Sequence, residues 1–230
     1  MKPVLGYFKL RGWAGPIRLL LAYLEVDYEE RLYELPTTVR EKNSTSSQCA
    51  SSSAVLADWC QEKFSLGLPF PNLPYWIEGQ IKLSETKAIL KHISRTRAPT
   101  LLGSSVEDKA KLNVLEEVLW DMWNSLCQVC LRHDDDTLGK FLTDAKYKLN
   151  LLSDNFTGLW AIGSNVTYVD FLLYEVLYHY KLFYEMLSQP FPTLQSFLSR
   201  FESIPSIQKY MHSQRFINGP CFSNKFKSKL

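Results

Sequence analysis

The stretch FPNLPYWIEGQIKLSETKAIL, residues 70–90, decides the architecture of the first half of the chain. Tyr75-Trp76-Ile77 and residues 80–83 are β-prone runs on either side of Glu78-Gly79, the pattern of a hairpin. Pro74 opens the first run, where its missing N–H removes no ladder bond. Ala88, Ile89 and Ile93 then recur at helical spacing over residues 85–93. An X-Pro bond at a strand start can be held cis. The N–H and C=O of Leu73 would then be free to pair with an extended peptide. Ser84-Glu85-Thr86 begins the helix, where unpaired N–H groups and the dipole favour an anion. A Thr hydroxyl beside those N–H groups suits a carboxylate, and Glu85 suits an ammonium. Pro74 and Ser84-Glu85-Thr86 thus describe two walls of a site for an α-amino acid end with a peptide backbone.

Upstream, residues 4–8 are apolar and are followed by Arg11-Gly12, after which Ile17, Leu20, Leu21 and Leu24 keep helical spacing. Residues 28–35 alternate charge with Leu and Tyr as a second strand, which completes a βαβ unit. Residues 36–53, PTTVREKNSTSSQCASSS, read as a long surface loop, and residues 58–64 as a short helical turn. The order is β-α-β-loop-β-β-α. Past RAPTLLGSS, residues 97–105, strand signals stop. Val114, Leu115, Val118, Leu119 and Met122 predict a long helix over residues 106–132, and a further helix is predicted over residues 138–155. Thr167 to Asp170 has the order of a capping box before FLLYEVLYHY. Pro192 and Pro205 sit at the first positions of two short helices. The expectation is a small α/β domain, residues 1–97, followed by an all-α helical domain, residues 105–230.

Lys+Arg of 26 against Asp+Glu of 24 leaves +2, so bulk charge points neither to nucleic acid nor to an anionic membrane. The longest apolar runs fall well short of the roughly 20 residues a membrane span needs. No charged segment followed by an apolar one opens the chain, and five irregularly spaced cysteines fit a reduced, cytoplasmic setting better than a disulfide framework. Ser228-Lys229-Leu230 has the form of a peroxisomal address, which works only from an exposed tail.

Among candidate chemical groups, Tyr7 ends the first strand, from which its hydroxyl can reach a crevice at the strand's carboxyl end. Cys127 and Cys130 form a C-x-x-C inside a predicted helix rather than at the first βα turn, so a structural role outweighs redox chemistry. His92, His133, His179 and His212 are scattered, and no metal site is expected. Asp134-Asp135-Asp136 reads as a solvated turn, and Trp120 with Trp123 as core or cleft lining.

LGYFKLRGWAGPIRLLLAYLEVDYEERLY, EKFSLGLPFPNLPYWIEGQIKLSETKAIL and VTYVDFLLYEVL closely resemble the cytosolic glutathione S-transferases of the mu class. The resemblance runs through nearly the whole chain. It implies a thioredoxin-like N-terminal domain, a helical C-terminal domain, and a homodimer. It also implies conjugation of the glutathione thiol to small hydrophobic electrophiles, with glutathione as co-substrate and no cofactor. Tyr7 matches the catalytic tyrosine. The resemblance puts Phe8, Trp59, Lys63, Asn72, Leu73, Glu85 and Thr86 on glutathione, with Asp121 contributed from the partner subunit. Within that set, Trp59 and Lys63 would take the glycine carboxylate, Asn72 and Leu73 the cysteinyl part with Pro74 cis, and Glu85 and Thr86 the γ-glutamyl end. Leu10, Trp13 and Leu131 would line the electrophile site, with Arg11-Gly12 at its mouth, and Phe70 would plug into the neighbouring subunit.

The sequence departs from the family pattern at several places. Phe8 stands where a tryptophan is usual, Glu85-Thr86 replaces Gln-Ser, Leu56 replaces an arginine just before Trp59, and Leu131 replaces an assisting tyrosine. Two other activities are compatible with parts of this pattern. One is a non-catalytic carrier of hydrophobic ligands on the same fold. The other is a thiol-disulfide oxidoreductase using Cys127 and Cys130.

Overall fold

The structure, a computed structural model, describes residues 2–34, 57–132, 135–183 and 190–219. The expected loop over residues 36–53, Leu56, His133, Asp134 and the terminal Ser228-Lys229-Leu230 lie outside them. Strand β1 (Val4–Phe8) leads through a 3₁₀ turn, Gly12–Ala14, into helix α1 (Gly15–Tyr23) and strand β2 (Glu29–Tyr33). Helix α2 (Ala57–Glu62) precedes the hairpin β3 (Tyr75–Glu78) and β4 (Ile81–Ser84), and helix α3 (Thr86–Arg97) closes the unit. The strand order is β2-β1-β3-β4, with β2 parallel and β3 antiparallel to β1. This is the thioredoxin-like arrangement that the resemblance implies.

Local chemistry explains the pairing. Gly79 turns the hairpin at φ +59°, a conformation that glycine adopts without a Cβ clash. Gly6 lies opposite Tyr75, and a Cβ there would fall 2.1 Å from the Tyr75 ring, so β1 and β3 can pair only around a bare backbone. The cross-strand neighbours Leu5 and Trp76 join Ile17, Leu20 and Leu21 of α1 and Ile89, Leu90 and Ile93 of α3 in the main core. Tyr7, Leu10, Ala14, Tyr33, Trp59, Leu68, Leu73 and Tyr75 form a second apolar cluster.

A 3₁₀ turn, Pro99–Leu102, links to the helical half: α4 (Val106–Arg132), α5 (Asp135–Asp154), α6 (Tyr168–Phe183), α7 (Pro192–Glu202) and α8 (Pro205–Met211). α4 has the bounds that its apolar spacing predicts. α5 begins earlier than expected: Asp135 and Asp136 form its first turn rather than a solvated loop, because carboxylates there meet unpaired N–H groups and the positive end of the dipole. α3 likewise runs on to Arg97. The capping box is present: the Thr167 N–H and hydroxyl both donate to Asp170, each at 2.7 Å, and the Ala161 N–H reaches its other oxygen at 2.8 Å. Cys60 is disulfide-bonded, whereas Cys127 and Cys130 are in no disulfide.

The two halves meet at a buried ion pair. The Arg11 guanidinium, just past β1, donates to both oxygens of Glu175 on α6 at 2.9–3.1 Å, and both side chains are almost fully shielded from water. Gly15 makes room for it, because a Cβ there would sit 2.6 Å from the Glu175 carboxylate. The Arg11 guanidinium also stacks 3.8 Å from the Tyr178 ring centroid. His179 packs beside the pair, with Nδ1 2.6 Å from the Glu175 carbonyl oxygen.

Two buried groups titrate in opposite senses. Burial lowers the His179 pKa to about 4 and raises that of Asp170 to about 6. Between pH 4 and 6 the unfolded chain therefore holds an extra proton at the histidine, and the folded chain holds one at Asp170. The first makes stability rise with pH, the second makes it fall, and the two slopes oppose each other. His179→Gln removes the rising contribution of the histidine, so its urea unfolding midpoint should rise less, or fall more, from pH 4 to pH 6 than that of the wild type. A profile parallel to the wild type's would contradict the assignment.

Candidate active site

Tyr7, the penultimate residue of β1, is 4% exposed, and its hydroxyl oxygen accepts the backbone N–H of Trp13 at 3.0 Å. Burial raises its pKa far above the ordinary value near 10, more than the Trp13 N–H and the nearby Arg18 charge lower it. The phenol is therefore protonated at neutral pH. With Trp13 donating to its oxygen, the O–H proton is what the group can offer to a bound anion.

Trp13 sits in the 3₁₀ turn between β1 and α1, and its carbonyl is held from the other side. The Thr86 hydroxyl donates to it at 2.9 Å. The N–H groups at the start of α3 remain unpaired within the helix and are available to an anion. Glu85, the N-cap of α3, adopts φ 74° and ψ 122°, a conformation rare for a residue with a side chain. Its carboxylate accepts the Asn72 amide at 2.8 Å, which joins two expected site residues directly. The Leu73-Pro74 bond is cis, as the strand-start proline suggests. Ser84 is turned away from this wall and donates to the Phe70 carbonyl at 2.7 Å.

On α2 the Trp59 ring stacks on Tyr75 at 6.0 Å and meets Tyr33 edge-on at 5.4 Å. The Lys63 N–H bonds the Trp59 carbonyl at 2.9 Å, so the two side chains sit one turn apart, and the Lys63 ammonium lies 4.7 Å from the Phe64 ring. One apolar cluster brings together Tyr7, Leu10, Trp59 and Leu73, with Phe8 and Trp13 packed against it. Asp121 is exposed on α4, and Phe70 is 80% exposed. Leu131 belongs to the last turn of α4.

Cys127 is close enough to Tyr7 to act on its titration, and burial pushes the Cys127 thiol up. A thiol held protonated inside a helix is a poor redox nucleophile. Among the described residues no group of three or more His, Cys, Asp or Glu side chains could hold a metal ion, and no helix is long and apolar enough to cross a membrane.

Two contributors escape a reading of side-chain types. The peptide of Trp13 touches both Tyr7 and Thr86 through backbone atoms, which leave no mark in the sequence. Arg18 reads as the polar edge of an apolar helix. It is nevertheless buried, and its guanidinium bonds the Leu10 and Arg11 carbonyls at 2.7 and 3.2 Å, fixing the loop after β1.

A buried tyrosine near the end of β1 and a helix start beside a cis-proline hairpin, on a thioredoxin-like sheet joined to a helical half, define a class of protein. Residues 3–95 match the family model of the glutathione S-transferase N-terminal domain, and residues 121–214 that of the C-terminal domain. The chain is 38% identical to Glutathione S-transferase Mu 1 of Bos taurus, covering 96% of each. It is also 38% identical to Glutathione S-transferase Mu 1 of Homo sapiens, covering 97% of this chain and 96% of that one. The crystal structure of the glutathione S-transferase Blo t 8 superposes with a TM-score of 0.80 at 28% identity, over 96% of this chain and 97% of that one. The chain belongs to the glutathione S-transferases, and within them to the mu class.

The backbone at Glu85 has a measurable consequence. Glu85→Gly removes the side chain from a positive-φ position that costs on the order of 1–3 kcal/mol to maintain, against under about 1 kcal/mol for a more flexible unfolded chain. Unfolding free energy by denaturant titration should rise by about 1 kcal/mol in Glu85→Gly. A loss of stability there would mean that the Asn72 contact outweighs the backbone strain.

Proposed function

We propose that this protein transfers the thiolate of glutathione to small hydrophobic electrophiles, with Tyr7 as the catalytic residue. The observation that carries the reading is the Tyr7 phenol, kept neutral by burial and already accepting from the Trp13 N–H, which leaves its own proton to donate. A free thiol titrates near 8.5, and only the thiolate is a strong nucleophile. A hydrogen bond from Tyr7 to sulfur stabilises the anion and lowers that pKa. The sulfur then attacks the electrophile, the leaving group departs with its electron pair, and Tyr7 keeps its proton throughout.

In this reading Trp59 and Lys63 take the glycine carboxylate. Asn72 and the Leu73 backbone hold the cysteinyl unit, and the N–H groups at Thr86 hold the γ-glutamyl carboxylate. Glu85 meets the γ-glutamyl ammonium, assisted by Asp121 from a second copy. Residues 1–97 thus supply the glutathione half of the site, while residues 105–230 add the electrophile pocket alongside Leu10 and Trp13. No cofactor is required, because glutathione brings the nucleophile.

In conjugation of an aryl halide at pH 6.5, Tyr7→Phe should lose about tenfold or more in kcat/KM, each pKa unit of thiolate stabilisation being ~1.4 kcal/mol. The gap should narrow as pH rises past about 8.5, where the thiol ionises unaided. Equal rates for Tyr7→Phe and wild type at pH 6.5 would overturn this role.

Phe70, with four-fifths of its surface open to solvent, is proposed to enter an apolar pocket on a second copy. Phe70→Ser should shift the mass seen by sedimentation toward that of the monomer. An unchanged mass would remove Phe70 from the dimer contact.

A further inference from the structure

Beyond Tyr7 itself, the geometry points to Trp120 and Trp123 of α4 as positioning residues for the nucleophile, acting through Trp13 across the boundary between the two halves; the inference rests on the Tyr7 reading above. The Trp13 backbone is the shared support of the site, since its N–H donates to the Tyr7 oxygen and its C=O accepts from Thr86. What braces that backbone from outside is the Trp13 indole. It lies 4.6 Å from the Trp120 ring and 4.9 Å from the Trp123 ring, tilted at 40° and 36°, so one indole rests against two others. Contacts of this kind add about 0.5–1.5 kcal/mol each beyond their buried area.

The two helix indoles are themselves backed. Trp123 is fully buried, with the His179 ring 5.6 Å away on a neighbouring helix. Trp120 carries the Lys87 ammonium 5.1 Å from its ring centroid, and Lys87 is in turn held by Glu117 at 2.6 Å. Being three residues apart on α4, the two rings project from adjacent positions on one side of the helix. The 3₁₀ turn closes through the Gly15 N–H on the Gly12 carbonyl, and Arg18 holds the Leu10 and Arg11 carbonyls, but none of these bonds grips Trp13 itself. The clamp from the helical half adds that restraint, bearing on where the Trp13 N–H points and on the orientation in which Tyr7 presents its proton.

The test is the pH profile of kcat/KM for an aryl halide at saturating glutathione, where the enzyme–glutathione complex is the reacting form and the acidic limb reports the ionisation of its thiol. Trp120→Leu and Trp13→Leu both keep the Trp13 N–H but loosen the clamp. Each should move the limb up by about half a pH unit or more, with the fold checked by near-ultraviolet circular dichroism. Trp120→Tyr, which keeps a ring in place, should restore most of the shift. In a Tyr7→Phe background the same substitutions should move the limb no further, because the group they orient is gone.

An unmoved limb in folded Trp120→Leu and Trp13→Leu overturns the proposal. So does a shift of equal size with and without Tyr7, which would mark a general loosening of the cleft. If Tyr7→Phe alone leaves both rate and limb unchanged, the underlying reading of Tyr7 fails instead, a result distinct from either.

Discussion

The structure turns on a guanidinium and a carboxylate held together almost out of reach of water. Taking Arg11 and Glu175 into the interior carries a desolvation cost that only close geometry and several hydrogen bonds offset. The Arg11 to Glu175 contact is made through both carboxylate oxygens, with Tyr178 against the guanidinium plane and a glycine cleared from its path. Its position matters as much as its strength. Arg11 is in the loop that follows Tyr7, and Glu175 is in the middle of α6, so the strand that carries Tyr7 and the helical core share one anchor. Arg18 grips the same loop from beneath through the Leu10 and Arg11 carbonyls. The loop after β1 is thus restrained from both halves before any substrate arrives.

Much of this was legible in residues 70–90. The cis bond before Pro74, the hairpin around Gly79 and the start of α3 all follow from residue types with narrow backbone preferences. The apolar period through α4 and the box from Thr167 to Asp170 are local signals, and they place helices without knowledge of the fold. The start of α5 was misread because three aspartates look alike in a turn and in a first helical turn; only the chain's path distinguishes them. The hydrogen-bonding direction of Thr86 was beyond reach for a different reason. Its acceptor is a backbone carbonyl 73 residues away, brought close by packing rather than by any motif.

Two departures from the mu-class pattern fall on described side chains: Phe8 packs against the cluster that holds Tyr7, and Glu85-Thr86 opens α3 where Gln-Ser is usual. The surroundings of Tyr7 are apolar and aromatic: Leu10 shares its cluster, Phe8 and Trp13 pack against that cluster, and Trp13 meets Trp120 and Trp123 of α4.

The backbone at Glu85 also limits how this site can drift. A φ of 74° with an extended ψ crowds a side chain that branches at its β-carbon more than an unbranched one. Glutamate, glutamine, aspartate and asparagine are unbranched there, each keeping a side-chain oxygen at the start of α3. Valine, isoleucine and threonine are disfavoured by geometry alone. The dihedral angle therefore works as a filter on mutation at this helix start.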